Sequence, residues 1–155
     1  MRLIVRSDGA ARGNPGPASS GAVLIDADQP GSAEPLARPL ATISEYIGVR
    51  TNNVAEYVGV VRALGLALEL GATEVDMLLD SKLIVEQVNG RWRVKDAKIA
   101  PLHAQVRASL GQLRRWTAKH VPRAQNSAAD ALANEAIDRV QAGGPAVVVR
   151  RPDRS

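Results

Sequence analysis

The chain has 155 residues, of which 45% are hydrophobic and 23% are charged. These proportions are typical of one soluble globular domain, and they exclude a disordered tail or a fibre. The absence of Cys excludes thiol catalysis, iron–sulfur clusters and Cys-based zinc sites. The sequence shows no signal peptide and no apolar run of about 18 residues, so we expect a cytoplasmic protein that does not enter a membrane.

The distribution of charge gives the first indication of a partner. The formal net charge is +4, and the isoelectric point is near 10.0. Residues 90–121 hold eight Lys and Arg side chains and a single acid, Asp96. A local excess of this size favours a polyanionic partner such as a nucleic acid. The alternative is an ordinary solvated helix face.

The first half of the chain predicts an antiparallel meander followed by a helix. Residues 3–7 form an apolar run that ends at a turn-rich loop over residues 8–17, and residues 21–26 and 40–48 are further strand patterns. From residue 53 to residue 70 the apolar positions recur every three or four residues, which predicts a helix. Thr51, Asn52 and Asn53 are candidate N-caps, and Gly71 is a candidate C-cap.

The second half predicts alternating strands and helices. Strands are expected at residues 75–79 and 116–121, and helices at 81–88, 98–113 and 126–141, the last capped by Asn126. The fold class is therefore α/β, with a mixed five-stranded sheet of three antiparallel and then two parallel strands, flanked by helices. Residues 143–155 show little packing periodicity, so we expect a flexible tail or a truncated linker after a domain of residues 1–142.

Four acidic residues occupy positions that suggest a metal site. Asp8 and Asp80 follow predicted strands, and Glu56 and Asp130 lie in the first turns of predicted helices. If these ends meet at one edge of the sheet, the four carboxylates repel one another unless cations hold them. Hard oxygen ligands suit Mg²⁺ or Mn²⁺, and two such ions can flank a phosphodiester. Taken singly, each acid could instead be a helix cap or an unremarkable strand-end carboxylate.

The motifs around these acids resemble type 1 ribonuclease H. They are DGAARGNPG at residues 8–16, TNNVAE at 51–56, LDS at 79–81 and NSAADALAN at 126–134. Each is weak alone, but the order and spacing of all four are specific, and the resemblance runs from about residue 3 to residue 140. The short segment after Gly90 resembles the archaeal-like bacterial branch of the family. Some relatives are fused to a phosphatase-like domain, so one alternative that stays open is that this chain is the nuclease domain of a larger bifunctional protein with a covalently fused C-terminal domain.

The resemblance implies an endonuclease that cuts the RNA strand of RNA/DNA hybrids and leaves 5′-phosphate and 3′-hydroxyl ends. Two rival functions stay open, namely a non-catalytic module that binds hybrid or duplex, and a nuclease of this fold that acts on double-stranded RNA or on DNA. The implied catalytic and metal-binding residues are Asp8, Glu56, Asp80 and Asp130, with two Mg²⁺ or Mn²⁺ ions per site. The implied nucleic-acid contacts are Gly9, Ala10, Ala11, Asn14, Thr51, Asn52, Asn53 and Ser81.

Further contacts are expected from residues that depart from the family or lie outside its motifs. Lys82 stands where many relatives have Gln, and a cation there could reach a phosphate. An aromatic side chain among cations suits a nucleic-acid groove, although the aromatic could also be a core residue. This segment contains Arg91, Trp92, Arg93 and Lys95.

Many relatives carry a His in the loop before the last carboxylate. In this chain that loop follows Pro122 and contains Arg123, whereas His120 falls within the predicted strand. Strand alternation places His120 on the same face as Trp116. We therefore expect His120 to pack against a helix, and Arg123 to be the loop residue that serves the site.

Overall fold

The fold is built on one mixed sheet. A computed structural model describes residues 1–152, and within them six strands are ordered β5-β4-β1-β2-β3-β6. β1 is antiparallel to β2 and parallel to β4. β2 and β3 are antiparallel, β4 and β5 parallel, and β3 and β6 antiparallel. The strands are β1 (Arg2–Ala11), β2 (Gly16–Asp26), β3 (Ala41–Arg50), β4 (Glu74–Leu79), β5 (Arg115–His120) and β6 (Val147–Arg150).

The predicted order of strands and helices is confirmed up to the end of the last helix. The helices are α1 (Asn52–Glu69), α2 (Lys82–Val88), α3 (Ala100–Leu110) and α4 (Ser127–Gln141), and a 3-10 turn (Arg123–Asn126) leads into α4. Thr51 caps α1 as expected, because its hydroxyl accepts a hydrogen bond from the Val54 amide. Over residues 1–152, no helix combines the length and the apolar character that crossing a bilayer requires.

The alternation of side chains along β1 divides the molecule into two layers around the sheet. Leu3 and Val5 face α1, α2 and α3 and belong to the main core. Ile4 faces the other side, where a smaller cluster packs against Leu132 of α4. Asp8 lies on the same side of β1 as Ile4, so it points towards the layer that carries Asp130.

Small residues allow α4 to lie close to the sheet. A Cβ atom on Gly21 of β2 would lie 2.2 Å from the Ala129 carbonyl oxygen, so only glycine fits there. The neighbouring Ser19 hydroxyl donates to the Ala133 carbonyl, and the Ser44 hydroxyl donates to the Leu132 carbonyl at 2.7 Å. These contacts fix α4, and Asp130 with it, relative to β1 and β2.

The sheet has one strand more than the sequence predicts. Val147–Arg150 was expected to lie in a flexible tail or linker, but it pairs with β3 as the edge strand β6. A four-residue strand is too short to give a periodic signal. Arg139 secures it, donating to the Pro145 carbonyl at 2.7 Å, the Ala146 carbonyl at 3.2 Å and the Ser44 carbonyl at 2.9 Å. The domain boundary at residue 142 stays a prediction, and residues 153–155 lie outside the described residues.

Candidate active site

The site forms where β1 and β4 part. The two strands pair in parallel as far as Ser7 and Leu79, which brings the next residues, Asp8 and Asp80, side by side. The sequence placed Asp8 at the end of a strand, and this is wrong. β1 continues to Ala11 through pairing with β2, with Asp8 opposite Gly21. Only β4 ends here, and both carboxylates lie where the pairing of the two strands stops.

Glu56 reaches the same place because α1 passes very close to β1. A Cβ atom on Gly9 would lie 2.3 Å from the Glu56 amide nitrogen and 2.5 Å from the Ala55 carbonyl carbon. The absence of a side chain at Gly9 therefore sets the distance between strand and helix. Gly9 also donates its amide to Asp8 Oδ1 at 2.9 Å, which orients that carboxylate. Packing of α1 explains the glycine at this position without any nucleic acid.

The four predicted carboxylates come together. Asp8, Glu56 and Asp80 each offer an oxygen, and these three atoms lie within 4.8 Å of one another. The Asp130 side chain lies within hydrogen-bonding reach of Asp8. Burial, the charge of Asp80 and the hydrogen bond with Asp130 together raise the pKa of Asp8 from its ordinary value of 3.8 to about 8. Without a bound cation, the site therefore favours the protonated form of Asp8 far more than an exposed position would.

Glu56 is surrounded by groups that oppose the effect of its burial. Burial raises its pKa, while hydrogen bonds from Ser81 and Asn52 and the positive charge of Arg123 act in the opposite direction. The side-chain nitrogen Nδ2 of Asn52 lies 3.4 Å from Glu56 Oε1, one helical turn away. Ser81 also caps α2, since its hydroxyl accepts from the Ile84 amide. Ser81 thus lies at the carboxylate site, where the sequence predicted only a nucleic-acid contact.

The residues before α4 hold Asp130 in place in an unexpected way. Asn126 was predicted to cap α4, but its side chain makes no capping hydrogen bond. It is fully buried, and its amide group instead donates to the Ser7 carbonyl at 3.2 Å and the Leu78 carbonyl at 3.4 Å. Asn126 thus ties the 3-10 turn to both strands at the point where they part. Asn134, one turn beyond Asp130, donates to Asp130 Oδ1 at 3.3 Å.

The donor set fits hard divalent cations. All four candidate donors are carboxylates, and no thiolate or imidazole lies among them. Burial, and after it the neighbouring acidic groups, raise the pKa of Asp8, and a bound cation would offset both effects. Asp8, Glu56, Asp80 and Asp130 are the residues that would hold it.

The predicted contacts for the nucleic-acid backbone lie beside the carboxylates. Asn14 Oδ1, in the turn after β1, accepts from the Asn52 amide at 3.1 Å, so the two asparagines belong to one surface. Thr51 begins α1 at the same place, and Asn53 is exposed next to it. Ala10 and Ala11 are half-buried at the end of β1.

His120 belongs to β5, as the sequence predicts, but it does not pack against a helix. We expected it to pack against a helix, but it is exposed, and its Nε2 atom lies 3.2 Å from the Asp80 carbonyl oxygen. The reason is that β5 pairs in parallel with β4, so His120 stands opposite Leu79 and reaches the same edge as Asp80. The strand also ends at His120, so that the burial implied by alternation with Trp116 does not continue to this residue.

Arg123 lies in the 3-10 turn, and its charge opposes the rise that burial causes in the pKa of Glu56. We therefore expect Arg123→Ala to lower turnover about tenfold or more, because it removes a cation from the carboxylate site. His120→Ala should have a smaller effect, since Nε2 of His120 is already bonded to a backbone carbonyl.

A pH profile of turnover for Arg123→Ala, His120→Ala and Arg123→Lys checks that the loss of Arg123 has the larger effect. Arg123→Lys keeps the charge and should recover part of the activity, and the wild type should show no step near pH 6.5. A folded His120→Ala protein with a hundredfold lower turnover, beside an unaffected Arg123→Ala protein, would reverse the assignment.

The predicted basic segment, residues 91–95, follows α2 and contacts Lys82 at the start of that helix. Arg93 and Lys95 are exposed, and Trp92 is 45% exposed, so it is not a core residue. Lys82 Nζ lies 5.9 Å from the centre of the Trp92 ring, a cation–π distance. Arg115 begins β5 at the opposite end of that strand, directly after Arg114, so the positive charge of residues 90–121 is not confined to one place.

Arg91 is engaged within the protein. Its Nη2 atom donates to Glu86 Oε1 at 2.9 Å, and its Nε atom donates to the other carboxylate oxygen. Nothing in the sequence analysis singled out Glu86, which lies just outside the basic stretch. An i, i+5 pair across the end of a helix has no sequence signature, because its geometry depends on how the chain leaves α2.

If the protein binds an RNA/DNA hybrid, as the resemblance implies, Arg91 should therefore contribute less to that binding than Arg93 or Lys95. Neutralising Arg93 or Lys95 to Gln should lower the slope of log K against log salt by roughly 0.7–0.9 each, and Arg91→Gln should lower it less. Glu86→Gln frees Arg91 and should steepen the slope. Binding titrations at several salt concentrations, with Glu74→Gln at the far end of β4 as the charge-matched control, measure this. An unchanged slope in the Arg93 and Lys95 variants would leave the segment a solvated face.

The comparisons with known proteins agree with this geometry. A family model described as "Reverse transcriptase-like" matches residues 6–136. The solved N-terminal RNase H domain of a Mycobacterium tuberculosis protein is 46% identical, with a TM-score of 0.80, covering 87% of this chain and 98% of that one. The RNase H1 of Halobacterium salinarum is 38% identical, with a TM-score of 0.81, covering 89% and 98%. The chain belongs to the ribonuclease H family.

Further matches concern a nucleic acid bound by one relative and the length of others. An RNase H1 named LC11, isolated from compost, has been solved in complex with an RNA/DNA hybrid. It is 37% identical, with a TM-score of 0.80, and the match covers 90% of this chain and 99% of that one. The curated mycobacterial relatives are 47% identical over 138 residues, and one is named a bifunctional protein. The chain spans 36% of their length.

Proposed function

We propose that this domain hydrolyses the RNA strand of RNA/DNA hybrids, leaving 5′-phosphate and 3′-hydroxyl ends, with two Mg²⁺ or Mn²⁺ ions. The observation that carries the proposal is the convergence of Asp8, Glu56, Asp80 and Asp130 beside a surface that holds Asn14, Asn52 and Thr51. A repulsive carboxylate cluster supports a site that binds cations, which a purely passive binding module does not need. LC11, the relative solved with a hybrid, supports the substrate.

The residues of this chain would have different roles in the reaction, according to where they lie in the site. When bound, the divalent cations supply the positive charge that activates water and stabilises the leaving 3′ oxygen. Asp8, Glu56, Asp80 and Asp130 hold them, and Asn52 and Ser81 orient Glu56. Arg123 adds a fixed positive charge, and because a guanidinium stays protonated it cannot act as a base.

The surface around Asn14 and Asn52 would distinguish ribose from deoxyribose. Amide groups can both donate to and accept from a 2′-hydroxyl, which only the RNA strand offers. Thr51 would contact a phosphate of the DNA strand, and the segment from Arg91 to Lys95 would follow that strand further. Ala10 and Ala11 lack large side chains, so the RNA backbone could approach the end of β1.

The test is cleavage of end-labelled substrates by the protein as it stands. We expect cleavage of an RNA/DNA hybrid with Mg²⁺, none with EDTA, and products whose new ends carry 5′-phosphate and 3′-hydroxyl groups. Cleavage assays with double-stranded RNA and with double-stranded DNA, under the same conditions, test the rival substrates. Tight hybrid binding without cleavage in any divalent metal would favour the non-catalytic binding module. A covalently attached further domain in the full-length protein stays a prediction.

A further inference from the structure

A buried glutamine lies between the carboxylate site and the basic segment. Gln87 is near the end of α2 and is 7% exposed. Its Oε1 atom accepts a hydrogen bond from the Tyr57 hydroxyl, and its Nε2 atom donates to the Arg93 carbonyl at 3.1 Å. Buried amide groups are costly unless both ends are paired, and here each end contacts a different part of the chain.

One end of this connection is rigid. Tyr57 follows Glu56 directly in α1 and is fully buried. Burial raises the pKa of Tyr57 to about 12, so its hydroxyl keeps the proton that it donates. The His103 ring of α3 packs edge-on against the Tyr57 ring, and His103 Nε2 lies 3.2 Å from the backbone carbonyl oxygen of Gln87. Gln87 is thereby fixed to both α1 and α3.

The other end of the connection has few anchors. Residues 91–95 leave α2 without regular secondary structure, and Arg91, Trp92, Arg93 and Lys95 are all exposed. The amides of Arg91 and Trp92 both bond to the Glu86 carbonyl, at 2.9 and 3.2 Å, which holds only the start of the segment. Further along, the Arg93 carbonyl is held by Gln87, and Val94 packs against the main core.

We infer that Gln87 is a positioning residue for substrate binding: the connection from Tyr57 through Gln87 to the Arg93 carbonyl fixes the basic segment relative to the helix that carries Glu56. This inference rests on the proposed function. A hybrid that spans both places must meet phosphate contacts and carboxylates at a set spacing, and a mobile segment would lose ordering entropy on binding. Gln87 itself touches neither the nucleic acid nor the carboxylates.

The direct test is Gln87→Met, which keeps the length of the side chain and removes both hydrogen bonds. We expect the KM for hybrid to rise about fivefold or more, with kcat within about twofold of wild type, as loss of binding alone would give. Asn89→Met is the matched control. Asn89 ends the same helix, but its amide group donates to the Ala118 carbonyl of β5, so its loss should not move the KM.

A double-variant comparison separates positioning from general destabilisation. In a background of Arg93→Gln with Lys95→Gln, Gln87→Met should add much less to the KM than it does alone, because the contacts that it positions are gone. Equal increases in both backgrounds would overturn the inference, and so would an unchanged KM in a folded Gln87→Met protein. If Gln87→Met does not fold, Tyr57→Phe takes its place, because it removes only the hydroxyl group that donates to Gln87. Tyr57→Phe should also raise the KM for hybrid, and an unchanged KM in that variant would overturn the inference.

Hybrid binding in EDTA, followed by fluorescence anisotropy, tests the inference apart from the chemistry. A protein that binds hybrid but does not cut it would contradict the proposed function, while a weaker affinity of Gln87→Met in the same assay would still support the positioning role. Wild-type affinity of Gln87→Met in that assay would overturn the role even if cleavage by the wild type is as proposed.

Discussion

Asp8→Asn should lower hybrid cleavage about a thousandfold while making the metal-free protein more stable at alkaline pH. The loss corresponds to roughly 4 kcal/mol of transition-state stabilisation, the scale expected when a ligand of catalytic cations is removed. The fold should survive, because the carbonyl oxygen of Asn can still accept the Gly9 amide. The gain in stability follows from the removal of a carboxylate that burial and Asp80 already disfavour.

The sign of the pH dependence follows from the direction of the shift. The pKa of Asp8 is higher in the folded protein than in the unfolded chain, so folding takes up a proton between those two values. The free energy of unfolding of the metal-free wild type should therefore fall as the pH rises from about 4 to about 8. Asp8→Asn should flatten this fall, and at neutral and alkaline pH Mg²⁺ should stabilise the wild type more than the variant.

Thermal unfolding in EDTA at several pH values, together with single-turnover cleavage in Mg²⁺, measures both effects. Asp28→Asn, which changes the same charge at an exposed turn after β2, is the control and should leave cleavage unchanged. Near wild-type cleavage by Asp8→Asn in Mg²⁺ would exclude Asp8 from the metal site.

Gly9→Ala should damage stability and turnover together, even though it adds only a methyl group. The new Cβ atom would lie 2.3 Å from the Glu56 amide nitrogen, so β1 and the start of α1 must move apart. Overpacking of this kind costs about 3 kcal/mol. Displacing Glu56 by about 1 Å relative to Asp8 should lower kcat about a hundredfold.

Gly65→Ala is the control within the same helix. No atom outside its own stretch of helix lies within 4 Å of the position that a Cβ would take there, and the residue is exposed in the middle of α1. Replacing a helical glycine by alanine should raise the free energy of unfolding by about 0.5–1 kcal/mol. Urea unfolding and kcat at saturating Mg²⁺ compare the two variants. If Gly9→Ala affects only the KM for hybrid, the glycine serves approach of the RNA backbone and not the packing of α1.

The sequence was informative where a residue's role depends on its own segment. Asp80 could be placed because a strand end is a local feature, and the convergence of four carboxylates followed from assuming a common sheet edge. Glu56 was expected in the first turn of its helix, but α1 begins at Asn52 and its first turn holds no acidic residue. The end of β1 could not be placed, since Asp8 looks like the first residue of a turn. Its strand continues only because β2 offers a partner as far as Ala18, opposite Ala11.

Residues whose roles depend on distant partners were missed or misjudged. Asn126 looks like a helix cap in sequence, but its amide group bonds to carbonyls of β1 and β4. Arg6 interrupts an apolar run, and the structure shows it buried, with its guanidinium donating to the Gln125 and Ala33 carbonyls. His120 was misplaced because alternation gives the face of a strand but does not show where the neighbouring layer ends.

The edge strand β6 is synthesised long after the strand that it covers, β3. β3 is finished by residue 50, but its outer edge is covered only by residues 147–150, almost a hundred positions later. Until then the nascent chain presents an unpaired strand edge, the kind of surface that recruits other chains. A protein shortened to residue 142 would keep all four carboxylates and Arg139, yet it would carry that open edge permanently. The last strand thus covers part of the outer edge of β3 only after all four carboxylates have been made.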